Sequence, residues 1–148
     1  MERHGHAEAR LTHRRFLLVL IVILAGCGGS SSPRDEIAAS CKRQRTTIAS
    51  VGPIESLAHA RRALRTTIAL EAGALDDLRP AEKVDGVSAL RARLRLALAD
   101  ARRFEASIAH VDPTQSMTPL QVGPSGARRA VDRATRLARA TCRLAATT

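Results

Sequence analysis

Residues 81–111, AEKVDGVSALRARLRLALADARRFEASIAHV, carry an apolar stripe with helical spacing. The stripe consists of Val84, Val87, Leu90, Leu94, Leu98, Ala101, Ile108 and Val111. A repeat of three to four residues predicts an amphipathic helix, helix C, with one side facing a core. A glycine inside a helix costs about 1 kcal/mol relative to alanine. The sequence therefore leaves two starts open, one at Ala81 and one after Gly86.

The segment before helix C predicts another helix, B, from about Ile54 to Leu78. Its apolar positions are Leu57, Ala60, Leu64, Ile68, Ala72, Leu75 and Leu78. Arg79-Pro80 ends the helix, because the residue before a proline is pushed away from helical dihedral angles.

The segment after helix C predicts a loop and then a further helix, D, from Ser125 to about Ala145. Pro113, Pro119 and Pro124 make a continuous helix unfavourable in the loop. The inner face of helix D is rich in alanine, which allows close approach between helices and contributes little burial per residue. Its positions are Ala127, Ala130, Val131, Ala134, Leu137, Ala138, Thr141 and Leu144.

Helix A precedes these and has a clear start signal at Ser32-Pro33-Arg34-Asp35, a serine cap with proline in the first turn. Its shared face is formed by Ile37, Cys41, Gln44, Ile48 and Val51. Gly52 suits a left-handed closing position. No stretch alternates with a period of two, so no sheet is expected. The sequence predicts an all-α fold, an antiparallel four-helix bundle over residues 33–148.

A leader precedes the bundle. Basic Arg14-Arg15, a short apolar run from Phe16 to Ile23 and the small residues of Leu24-Ala25-Gly26-Cys27 are typical of a signal peptide. The ten residues Phe16 to Ala25 would span roughly 15 Å as a helix, whereas a membrane span takes about 20 residues. We expect residues 1–26 to be the signal peptide and residues 27–32 a flexible tether.

The four residues before and including Cys27 resemble the lipobox of bacterial lipoproteins. The resemblance implies acylation of Cys27 and anchoring at the extracytoplasmic face of the cell membrane. The leader is also similar to twin-arginine leaders, but Phe16 follows the arginine pair directly, which favours export of the unfolded chain. Val51-Gly52-Pro53-Ile54 and the close of helix B at Pro80 resemble small helical lipoproteins of actinobacteria. That resemblance implies a helical fold and adds nothing about activity.

Cys41 and Cys142 are the thiols that remain once Cys27 is acylated. A pair of cysteines in an exported domain predicts a disulfide bond. Two buried free thiols and a metal pair are the alternatives. A metal is disfavoured because His59 and His110 are not at ligand spacing from either cysteine.

The chain is strongly basic, with 24 Lys+Arg against 14 Asp+Glu and a formal charge of +10. It has no Trp, no Tyr and two Phe, so the aromatic platforms of single-strand binding are missing and no nucleic-acid partner is expected. Helix D carries the most organised arginines: Arg129, Arg133, Arg136, Arg139 and Arg143. They form either a solvated outer face or a surface for anionic lipid, a cell-wall polymer or an acidic protein.

No motif predicts chemistry. Asp76, Asp77, Glu82 and Asp85 cluster near one turn without the glycine-punctuated pattern of a calcium loop, and no serine lies in a nucleophile elbow. We expect no catalytic residue, no cofactor and no bound metal. The sequence favours a lipid-anchored, non-catalytic interaction or structural module, with a helical-bundle carrier of a small apolar ligand as the alternative.

Overall fold

Four helices form the part of the chain that the computed structural model describes, residues 31–111 and 117–148, with side chains included outside 117–122. They are α1 (Pro33–Ala49), α2 (Leu57–Asp77), α3 (Val87–Ala109) and α4 (Met117–Thr147). No strand occurs within those two ranges. The predicted all-α class and the four-helix bundle are confirmed. The predicted signal peptide, the lipobox and most of the tether lie outside the described residues.

The first helix begins as predicted. The Ser32 side chain accepts a hydrogen bond from the Asp35 backbone N–H, and the Asp35 carboxylate accepts one from the Ser32 backbone N–H. This reciprocal arrangement satisfies two backbone donors that a helix start otherwise leaves free. The predicted left-handed closure at Gly52 is wrong, because Gly86 is the glycine with positive φ among the described residues.

The next two helices, α2 and α3, begin at Leu57 and Val87. The predicted starts are Ile54 for α2 and either Ala81 or the residue after Gly86 for α3. Ser56 caps α2 by accepting from the His59 backbone N–H, so the helix starts at Leu57 and not at Ile54. Residues 78–86 form consecutive turns. Gly86, at φ 83°, is the residue before α3, which decides between the two starts that the sequence left open. Glycine adopts this left-handed conformation without steric cost.

The fourth helix corrects a prediction. It begins at Met117, before the predicted start at Ser125, and it contains Pro124. Pro119 is the third residue of the helix, where the backbone N–H has no partner within the helix in any case. Pro124 does remove an internal hydrogen bond. Close packing accompanies it: a Cβ at Gly123 would lie 2.8 Å from Leu57 Cδ1.

The helices pack with α1 and α3 on opposite sides of a central pair. Both α1 and α3 contact α2 and α4, and α2 also contacts α4, whereas α1 and α3 make no contact among the described residues. The helices α1 and α4 run antiparallel, because Cys41 is bonded to Cys142 whereas Ile48, further along α1, lines a groove with Thr135, earlier in α4.

Two apolar clusters fill the interior. One lies near the start of α1 and comprises Ile37, Ala74, Leu78, Ala81, Val87, Leu90, Leu94, Ala97 and Leu137. The other lies toward the start of α2 and comprises Ile54, Leu57, Ala60, Ala63, Leu64, Ile108, Ala127 and Ala130. Both α2 and α4 contribute residues to the two clusters. Buried polar residues also lie on these helices, among them Glu71 of α2 and Thr141 of α4.

A disulfide bond joins α1 to α4. The Sγ atoms of Cys41 and Cys142 lie 2.02 Å apart and their Cα atoms 5.0 Å apart, within the usual range for a disulfide. This agrees with the predicted pairing. The bond ties the first helix of the bundle to the last.

Candidate functional site

The arginines predicted as one stripe on α4 divide between two clefts. Arg129, Arg133 and Arg136 line a cleft between α3 and α4. Arg139 and Arg143 line a groove against α1, and Arg143 also borders a cleft with Ala89 and Arg93 of α3. A helical wheel spreads these residues over a broad arc, so the neighbouring helices decide which cleft each side chain enters.

The cleft between α3 and α4, of about 390 Å³, has mixed charge. Asp100 and Asp132 line it together with the arginines. Arg133 Nη1 donates to Asp100 Oδ2 at 2.8 Å, and Arg103 pairs with the same carboxylate. These hydrogen bonds and charges hold the pKa of Asp100 below its usual value, with Arg103 as the largest cause. The guanidinium group of Arg133 therefore already has a carboxylate partner within the bundle.

The groove between α1 and α4 has basic residues and no acidic ones in its lining. We call it the α1–α4 groove; it encloses about 600 Å³. Its lining residues are Arg45, Ile48, Ala49, Thr135, Ala138, Arg139, Cys142 and Arg143. Three of these are cations and none is a carboxylate. The ion pairs in the described ranges involve other arginines: Arg43 with Asp77, Arg65 with Glu105, Arg91 with Glu82, and both Arg103 and Arg133 with Asp100.

The two ends of the α1–α4 groove differ in chemistry. In α1, Arg45 comes before Ile48 and Ala49; in α4, Arg139 and Arg143 come after Thr135 and Ala138. Because α1 and α4 are antiparallel, both helices bring their arginines to the same end. The other end is lined mainly by apolar or small side chains, and the Thr135 hydroxyl is used by its own helix, donating to Val131 O.

The wall behind the α1–α4 groove is internally satisfied. Gln44, 2 % exposed, donates to Ser40 Oγ and to Thr141 Oγ1 across the helix pair. The Thr141 hydroxyl in turn donates to Leu137 O or to Gln44 Oε1. Buried polar groups that are fully hydrogen-bonded make a rigid and specific contact. With the disulfide beside them, they fix the spacing of α1 and α4.

The centre of the bundle holds a carboxylate without such partners. Glu71 of α2 is 1 % exposed, and neither carboxylate oxygen has a hydrogen-bond partner among the described residues. It lies at the junction of the two apolar clusters. Burial raises the pKa of Glu71 from 4.5 to about 7; the charge of Arg133 lowers it and that of Asp100 raises it. A buried carboxyl group in this setting takes up a proton near neutral pH.

Two further arginines serve as structural ties. Arg61 donates from Nη2 to Ile108 O at 2.7 Å and to Val111 O at 2.9 Å. Arg128 Nη2 donates to Ile54 O at 2.6 Å. These guanidinium groups satisfy carbonyls at the end of α3 and in the turn before α2 that have no helical partner. They explain part of the basic composition without any external ligand.

The acidic residues around the turn between α2 and α3 do not assemble into a site. Asp77 pairs with Arg43, and Glu82 pairs with Arg91. Within residues 31–111 and 117–148, no group of three or more His, Cys, Asp or Glu side chains could hold a metal ion.

Sequence reasoning missed two features of the site. Arg45 joins the groove because α1 meets α4 in the register that the Cys41–Cys142 bond fixes; the predicted pairing is the available signal, and the prediction does not extend it to Arg45. Glu71 had a signal: it stands in line with Leu64, Ile68 and Leu75 at helical spacing, so an acid interrupts the apolar stripe.

None of the helices in the described ranges is long and apolar enough to cross a membrane. Comparisons of the chain with protein-family models, with curated proteins and with solved structures find no match.

Proposed function

We propose that the chain is a lipid-anchored, non-catalytic interaction module on the outer face of the cytoplasmic membrane, and that its α1–α4 groove contacts anionic lipid. One observation carries the contact: the arginines of this groove have no carboxylate partner in the described structure. The proposed anchor is acylated Cys27, which rests on the lipobox of the sequence.

The tether length supports a contact along the side of the bundle. Five residues, Gly28 to Ser32, give a flexible reach of roughly 12 Å. Cys142 is bonded to Cys41, eight residues into α1, and this places it roughly 12 Å from the helix start at ~1.5 Å per residue. Arg139 lies about one helical turn further along. Charges beyond a Debye length of ~8 Å are largely screened. An end-on contact brings only Arg143 within that range, because Arg143 is four residues, roughly 6 Å, from the end of α4 and Arg139 is roughly 12 Å from it. A side-on contact brings all the groove arginines within range.

Anchoring is tested by fractionation and mass. In a bacterial host, the mature chain is expected to begin at Cys27 with the mass of its acyl chains, and Cys27→Ala is expected to release the protein or leave the precursor uncleaved. Membrane retention and an unchanged mass in Cys27→Ala would contradict the anchor.

Lipid contact is tested with the chain of residues 28–148, which contains the whole of the compact unit Ser32–Thr148. It is expected to sediment with anionic vesicles at low salt and to dissociate as salt rises. Each basic residue contributes about 1 kcal/mol to the free energy of membrane binding. Arg139→Gln/Arg143→Gln is therefore expected to weaken this free energy by about 2 kcal/mol, which lowers the partition coefficient roughly thirty-fold. The matched control is Arg95→Gln/Arg102→Gln, two exposed arginines of α3.

Equal losses from the two double variants would indicate a general charge effect and contradict a role for the groove. No binding to anionic vesicles at low salt would contradict lipid as the partner. A cell-wall polymer or an acidic protein would then be the polyanion to test.

A helical-bundle carrier of a small ligand is the second candidate. The observation in its favour is the size of the α1–α4 groove, about 600 Å³, which is within the range of small-molecule sites. Its apolar floor of Ile48, Ala49 and Ala138 suits a hydrocarbon group. The arginines at one end argue against a purely apolar ligand.

A further inference from the structure

We propose that the α1–α4 groove is a binding site for one molecule of a single-chain anionic amphiphile, with the anionic head on its arginines and the alkyl chain along its apolar floor. This inference rests on the proposed function in using the same arginines. It adds a ligand class, a stoichiometry and an orientation, none of which a general attraction to anionic membranes requires.

The first argument is the polarity of the groove. Arg45, Arg139 and Arg143 gather at one end, whereas Ile48, Ala49 and Ala138 line the remainder. A simple inorganic anion would use only the first end, and an apolar compound would use only the second. A molecule with one charged head and one chain matches both.

The second argument is charge. No acid lines the groove, and its arginines make no ion pair with the described carboxylates. The cleft on the other side of α4 gives the contrast, because two carboxylates, Asp100 and Asp132, line it beside its three arginines and Asp100 pairs with Arg133. Guanidinium groups bind carboxylates and phosphates through paired, charge-assisted hydrogen bonds. The free arginines therefore select an anionic head.

The third argument is rigidity. The disulfide, whose Cys142 lines the groove, and the hydrogen bond of Gln44 to Thr141 join α1 to α4 and hold the two walls of the groove together. A preformed site spares the ligand the cost of ordering the protein. The groove also has room on its outer side, since Ala49 is exposed and small.

The test is calorimetry on residues 28–148 with three probes, all below the micelle concentration. Decyl phosphate carries both head and chain, inorganic phosphate carries only the head, and decyl maltoside carries the chain without charge. We expect one decyl phosphate per protein, bound at least tenfold more tightly than either of the other two.

Variants locate the site. Arg139→Gln/Arg143→Gln is expected to weaken decyl phosphate at least tenfold, and Arg95→Gln/Arg102→Gln to leave it unchanged. Ala49→Leu, which fills the apolar end, is expected to weaken decyl phosphate several-fold and to leave the thermal unfolding midpoint unchanged within a few degrees. Equal affinity for decyl phosphate and inorganic phosphate, or equal losses from both arginine pairs, would overturn the proposal.

The same proteins sedimented with anionic vesicles separate this proposal from the membrane contact. Vesicle binding without a one-to-one decyl phosphate site would overturn the groove as a ligand site and leave the membrane contact standing. Decyl phosphate binding by a protein that ignores anionic vesicles would support the groove and overturn the membrane contact.

Discussion

Polar groups have different surroundings at the contact between α1 and α4, here called the α1–α4 seam, and at the centre of the bundle. At the seam, the buried Gln44 is fully hydrogen-bonded, while the arginines outside it have no partner. At the centre, the buried Glu71 has no hydrogen bond, whereas Arg133 and Asp100 pair with each other in the cleft between α3 and α4. The seam therefore has unused charge facing outward, where a ligand can reach it. The centre has an unused acceptor facing inward, where only a proton is readily taken up.

The largest expected effect concerns the seam. Reduction of the disulfide, or Cys41→Ala/Cys142→Ala, frees a loop of sequence separation 101. The chain-entropy model then gives a loss of about 4.7 kcal/mol in the free energy of unfolding. Urea unfolding with and without reductant measures it. The double variant is expected to be insensitive to reductant, and an unchanged urea midpoint in reduced wild-type protein would show that the seam is held by its other contacts.

The second effect concerns the centre. The pKa of Glu71 is about 7 in the folded chain and 4.5 as the ordinary value, so between these pH values the folded state binds a proton that the unfolded state does not. Stability is thus fully present below about pH 4.5 and falls as pH rises toward 7. The loss is about 3 kcal/mol at ~1.4 kcal/mol per pH unit.

Glu71→Met is expected to remove this slope and to stabilise the protein above pH 7. The control is Glu55→Gln, an exposed glutamate, which should keep the wild-type profile. A slope between pH 4.5 and 7 that survives in Glu71→Met would assign the pH dependence to another group.

A smaller effect tests the packing that α4 needs around Pro124. A Cβ at Gly126 would lie 2.0 Å from Phe104 Cζ, so Gly126→Ala is expected to destabilise by about 1–3 kcal/mol through overpacking. Phe104→Leu in the same chain should recover part of the loss. Gly73→Ala is the control: nothing lies within 4 Å of its new Cβ, and α2 should gain about 1 kcal/mol. Destabilisation of similar size at both positions would contradict close packing at Gly126.

The smallest expected effect tests how much the hydrogen bonds of Gln44 contribute to stability at the seam. Thr141→Val removes one partner of Gln44 and is expected to cost about 1 kcal/mol. Thr135→Val changes a hydroxyl that bonds only its own helix, to Val131 O, and should be nearly neutral. The difference between the two urea midpoints is the measurement, and equal midpoints would show that the Gln44 contact contributes nothing to stability.

Local signals in the sequence predict the helices where a single turn decides the outcome. Ser32 and Asp35 give the start of α1, and Gly86 gives one of the two starts considered for α3. The start of α4 could not be predicted in the same way. Pro124 argues against a helix locally, and the packing of Gly123 on Leu57 and of Gly126 on Phe104 becomes visible only in the folded chain.

The site was predictable only in part for the same reason. The arginines of α4 are evident in the sequence, but their division between two clefts depends on where α1 and α3 pack. Arg133 donates to Asp100, 33 positions away, and Arg45 lines the groove beside the distant residues Arg139 and Arg143. The unusual state of Glu71 likewise depends on three helices meeting around it.

The central claim is that the α1–α4 side of the bundle faces the membrane, and single tryptophans test it most directly. The chain has no Trp, so Ala49→Trp on α1 and Ala106→Trp on α3 each give a unique fluorophore at an exposed position. The two helices lie on opposite sides of the α2–α4 pair. With anionic vesicles whose acyl chains carry bromine, we expect quenching of Ala49→Trp and little change in Ala106→Trp. Equal quenching at the two positions, or stronger quenching at Ala106→Trp, would contradict the claim.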